Sequence, residues 1–110
     1  MQIQVSTDNH IQGSAELTQN ITAMVEATLD RFRERITRVE VHLGDENSAE
    51  KGGDDDKRCK LEVRLAGRQP TTVTHHAPSI ELAVEGAAEK MEKLLTSTLG
   101  RLDDVRHRNN

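Results

Sequence analysis

The sequence has 110 residues, with 15 Lys and Arg against 19 Asp and Glu, a formal net charge of −4, and a single cysteine. That length fits one domain burying about two-thirds of its unfolded surface, and a lone Cys59 excludes an intramolecular disulfide and suits a reducing cytoplasm. With Phe32 the only aromatic residue, base stacking is nearly excluded as a binding mode, and neither a signal peptide nor a membrane span of ~18 apolar residues is expected.

The chain opens with alternation. Ile3 and Val5 share one face and Gln2 and Gln4 the other, which predicts a strand over Ile3 to Ser6. Ser14 is a good helix cap, and Leu17, Ile21, Met24, Val25, Leu29 and Phe32 recur at helical spacing. A helix from about Ser14 to Glu34 follows. Alternation returns over Arg38 to Leu43, with Val39, Val41 and Leu43 on one face and Arg38, Glu40 and His42 on the other.

A flexible acidic loop is expected at about 45–57, where Asp45, Glu46, Glu50 and Asp54 to Asp56 offer nothing to pack. Arg58 to Ala66 is the clearest strand: Cys59, Leu61, Val63 and Leu65 face inward, and Arg58, Lys60, Glu62 and Arg64 outward. Gly67 to Pro70 makes a turn, and the β-branched run Thr71 to His76 returns antiparallel. Pro78 then opens a long helix carrying Val84, Ala87, Ala88, Met91, Leu94, Leu95, Leu99, Leu102 and Val105 on one face. The order is β-α-β-β-β-α. This is an α+β class, a single domain over 1–110, with two helices packed on one face of a four-stranded sheet.

Two groups of basic residues carry functional content. With Lys90 set at zero on a helix turning ~100° per residue, Lys93 falls at about −60°, Ser97 at about −20°, Arg101 at about +20° and Arg108 at about zero. Four cations thus line one flank, while Glu81, Glu85, Glu92 and Asp103 line the other and Asp104 interrupts the basic stripe. A stripe of this kind suits a phosphate backbone, which it positions without reading sequence. The plainer reading is a solvated helix face with mixed charges. The second group is Arg58, Lys60 and Arg64 on the open face of the sheet, joined by Arg38, His42 and His76 if the register allows. An ordinary wet sheet face is the plainer reading there.

Signatures of catalysis are lacking. The chain carries no Gly-rich phosphate loop and no nucleophile elbow. Cys59 reads as a small buried hydrophobe. His75 and His76 are adjacent on a strand, so they point to opposite faces and do not share a metal. Asp54 to Asp56 lack Ca²⁺-loop spacing. No enzyme activity, metal or cofactor is expected.

The second helix also carries a resemblance. Glu89-Lys90-Met91-Glu92-Lys93-Leu94-Leu95, within Pro78 to Leu95, matches an Asp-Lys-Leu-x-Arg-Gln-Leu type of run, and Met1-Gln2-Ile3-Gln4-Val5 looks like the first strand that goes with it. These patterns resemble the ribosome hibernation promoting factors and ribosome-associated inhibitors over nearly the whole chain. The resemblance implies a double-stranded-RNA-binding-domain-like fold. It implies a cytoplasmic bacterial protein that binds the small ribosomal subunit where mRNA and tRNA would sit, holding ribosomes idle in stationary phase or stress. Lys90, Lys93 and Arg101 fall on family basic positions, so the stripe and the family's RNA-contacting flank coincide.

Some positions depart from the pattern: Thr18, Met24 and Ala27 stand where relatives often carry Lys or Arg, Ser79-Ile80-Glu81 replaces an acid-Met-Tyr start, and Ser97 replaces a Lys. A single domain without a second one is expected, as in the short members, and so is a monomer or weak dimer. The alternative is a diverged regulatory module on the same fold, whose acidic loop engages a basic protein partner.

Overall fold

Strands form where alternation is strictest. The computed structural model describes residues 1–8, 11, 13–46 and 56–108, with side chains described as far as Gly100. In chain order the elements are β1 (Gln2–Thr7), α1 (Ala15–Leu29), a 3-10 turn (Asp30–Phe32), β2 (Ile36–Asp45), β3 (Lys57–Leu65), β4 (Thr71–Ala77) and α2 (Ile80–Arg108). The sheet order is β1-β2-β3-β4. β1 pairs parallel with β2, and α1 supplies the crossover that parallel pairing requires. β2, β3 and β4 pair antiparallel, β3 and β4 joined by the short turn after Leu65.

The expected α+β class and element order are those observed, with both helices on one face of the sheet. Val39, Val41, Leu43, Cys59, Leu61 and Val63 project from the two central strands into that layer, where Ile21, Val25 and Leu29 of α1 and Val84, Ala87, Ala88, Met91 and Leu95 of α2 meet them. All of these are buried. The core is aliphatic, as the composition requires, and Phe32 closes one end.

The helix boundaries differ from the sequence expectation for local reasons. Ser14 caps α1 as expected, its Oγ accepting from the Leu17 N–H at 3.0 Å. The α-helix stops at Leu29 rather than Glu34, because the chain tightens into the 3-10 turn that sends Phe32 inward and Ile36 into β2. At α2 the cap is Ser79, not a helical Pro78: Ser79 Oγ accepts from Leu82 N–H at 3.2 Å and its carbonyl from Ala83 N–H at 3.0 Å. Pro78 precedes the cap.

The strands also enter both ends of the expected acidic loop. Asp45 pairs with Lys57, and Glu46 N–H donates to the Asp56 carbonyl at 2.7 Å. Lys57 Nζ lies 3.1 Å from Asp45 and 3.3 Å from Asp56, and these two carboxylates hold its amine above the usual lysine range. The rest of that segment, 47–55, lies outside the described residues.

Candidate nucleic-acid interface

Sheet register decides which outward charges meet. Arg38 faces Arg64, Glu40 faces Glu62, His42 faces Lys60, and Arg58 faces both Gly44 and His76. The open face therefore carries Arg58, Lys60 and Arg64 together with Arg38, His42 and His76. Their neighbours separate them into two kinds. Arg58 Nη1 donates to Glu46 Oε1 at 2.8 Å, and His76 Nε2 lies 3.3 Å from Glu46 Oε2. The hydrogen bond from His76, reinforced by Arg58, holds the Glu46 carboxyl below its ordinary value. Arg38 Nη2 donates to Gln4 at 2.6 Å and to Glu40 at 3.2 Å. Lys60 and Arg64 are exposed and engage no carboxylate among the described residues.

On α2, Lys90 and Lys93 are both exposed. Lys93 has no ion-pair partner among the described residues. Lys90 Nζ donates to the Thr74 carbonyl at 3.0 Å, reaching over the free edge of β4. A lysine there also blunts an edge strand that would otherwise template pairing. Arg101 and Arg108 lie within α2, but their side chains are outside the described residues, as is that of Asp104.

Thr74 joins the two basic groups. Its register partner in β3 is Lys60, on the open face, while its carbonyl receives Lys90 from the helical layer. Lys90 of the α2 stripe and Lys60 of the sheet therefore meet at the free edge of β4, forming a basic rim there. Sequence spacing alone placed them on separate elements with no fixed relation.

A further cation escaped the sequence reading. Arg31, in the 3-10 turn, donates to Thr96 Oγ1 on α2 and stacks 4.7 Å from the Phe32 ring centroid. Thr96 sits three residues beyond Lys93, hence on a neighbouring part of the helix surface. The alternating Arg31, Arg33 and Arg35 were the available signal. Arg33 is spoken for, pairing with Glu26 at 2.9 Å and Asp30 at 3.2 Å.

The histidine pair behaves as alternation requires. His75 faces α2 beneath Gly86, while His76 is on the open face against Glu46. Cys59 is wholly buried, and burial pushes its thiol up to about 12.

Comparison with known proteins decides the family. The model of the Sigma 54 modulation protein / S30EA ribosomal protein family matches residues 4–103. The chain belongs to that family. The resemblance to hibernation factors drawn from the second helix is thereby confirmed at family level. Two solved structures share its fold: the N-terminal domain of Thermus thermophilus Protein Y, and a ribosomal subunit interface protein from Coxiella burnetii. The first has a TM-score of 0.68 at 19% identity, covering 89% of this chain and 99% of that one. The second has a TM-score of 0.68 at 17% identity, covering 91% and 99%. No match was found among curated protein sequences. No described helix of this S30EA member is long and apolar enough to cross a membrane.

Proposed function

We propose that this chain is a non-enzymatic, cytoplasmic translation inhibitor that docks on the small ribosomal subunit, with the basic rim along β4 against ribosomal RNA phosphates. The observation that carries the reading is the convergence at Thr74 of Lys60 from the sheet and Lys90 from α2. Membership of the S30EA family supports a ribosomal partner, as does the description of one structural relative as a ribosomal subunit interface protein.

Phosphate contacts position a protein without reading bases, which suits a face lacking aromatic side chains. Lys60, Arg64 and Lys93 supply charge that no carboxylate of the described chain already neutralises. Lys90 and Arg31 flank them, Arg101 and Arg108 are added on the strength of their helical spacing in the sequence, and Arg58 joins once Glu46 releases it. A body of this size seated in a channel excludes other occupants by volume alone, so inhibition requires no chemistry.

The test is co-sedimentation with purified small subunits at low and at physiological salt. Binding should weaken with salt and compete with mRNA or tRNA. The triple variant Lys60→Glu, Arg64→Glu, Lys93→Glu should lose it. Undiminished binding by that variant would overturn the assigned surface; no binding by the wild type at either salt would overturn the function.

A further inference from the structure

We propose that Glu40, His42 and Glu62 form a site for one divalent transition-metal ion of the zinc class on the open face of the sheet. The three side chains come from the two central strands. Glu40 and His42 are two residues apart on β2 and so share a face, and the register sets Glu62 of β3 directly opposite Glu40. Each offers a donor atom, and the three donors lie within 4.8 Å of one another. Bonds of about 2.0–2.2 Å to zinc place ligand atoms about 3.5 Å apart, so modest side-chain rotations close the set around one ion.

The surroundings favour a cation between the two glutamates. Like charges directly opposite on neighbouring strands are destabilising, and Glu40 and Glu62 are such a pair. Arg38 relieves only one of them, bonding Glu40 Oε1 at 3.2 Å. Glu40 keeps its second oxygen, and Arg38, itself held by Gln4, fixes the carboxylate in place. Neither Glu62 nor His42 has an ion-pair or hydrogen-bond partner among the described residues, and all three ligands are half-buried on rigid strands. Two carboxylate oxygens and one imidazole nitrogen select zinc, cobalt or nickel over calcium and magnesium, which prefer oxygen alone. Water completes the coordination. Arg38, Arg64 and Lys60 lie close by and oppose a cation, so the site is weaker than a closed structural zinc centre.

The probe is zinc chloride, titrated by calorimetry into the untagged full chain near neutral pH, with amide NMR spectra recorded alongside. The expectation is one equivalent bound, with shifts centred on residues 40, 42 and 62. Glu62→Gln and His42→Gln should each weaken binding at least tenfold, whereas His76→Gln should leave it unchanged. All three are surface substitutions, and thermal melts without metal confirm that each variant is folded. No binding at millimolar zinc would overturn the site. So would binding that survives in both ligand variants, or that is lost with His76.

Discussion

Cys59 shows how the environment of one side chain sets its chemistry. It lies on the core face of β3, wholly buried, with its thiol raised to about 12 because the thiolate would lose its hydration. The nucleophile is the thiolate, so the native chain should be inert to thiol reagents and labelled only when it opens. At pH 8, reaction with a disulfide reagent should therefore be slow in buffer and immediate in denaturant; fast labelling of the native chain would contradict the burial. The linkage sign follows from the same shift. An unfolded thiol titrates at about 8.5, and the folded one stays protonated well above that. Its contribution is thus complete below about pH 8.5, and stability falls as pH rises from there towards 12. Replacement by Ala should flatten that alkaline loss, measured by denaturant melts, while creating a small cavity.

At the scale of elements, α2 packs on β4 at Gly86, where a Cβ would run into the His75 ring. Gly86→Ala gains roughly 1 kcal/mol of helix propensity but must displace a half-buried imidazole, an overpacking cost of about 1–3 kcal/mol. Net destabilisation is expected in the wild type, and net stabilisation in a His75→Ala background, where the obstacle is gone. A double-mutant cycle by urea melts measures that coupling; additive effects would show that the two residues do not limit the approach of helix to strand. Most elements could be read from the sequence because their signals are local. The alternation of Cys59 to Leu65, the Ser14 cap and the apolar spacing of α2 need no tertiary knowledge. The end of α1 could not, since the 3-10 turn at Asp30–Phe32 answers to where β2 must begin. Nor could the partner of Lys90, because its bond to Thr74 exists only once α2 lies beside the β4 edge. Register is likewise non-local: that Lys60 stands opposite His42, and Glu62 opposite Glu40, follows from pairing that the strand sequences leave open.

For the whole molecule, a net charge of −4 and the proposed RNA-binding rim are compatible only if the charges are segregated. They are segregated unevenly. By helical spacing Glu81, Glu85 and Glu92 lie off the basic stripe, but Glu46 sits on the rim and holds both Arg58 and His76. A chain poor in spare cations loses a potential phosphate contact there. Each contact contributes roughly 0.7–0.9 to the slope of log affinity against log salt, so the number of contacts can be read from that slope. The wild type, with Lys60, Arg64 and Lys93 unpaired, should show a slope of about −2 to −3 from these residues alone. Glu46→Gln removes the carboxylate while keeping a side chain of similar shape. It frees the Arg58 charge, so binding to small subunits at low salt should tighten and the slope should steepen by about one contact. Arg58→Gln added to that variant should return the slope to the wild-type value, because Glu46 and Arg58 act as one unit. Measuring the three slopes by sedimentation across a salt series separates the possibilities. A steeper slope that Arg58→Gln reverses places Arg58 at the RNA. An unchanged slope confines the interface to the α2 side of the rim, with the ion pair serving only to tie the end of β2 to β3.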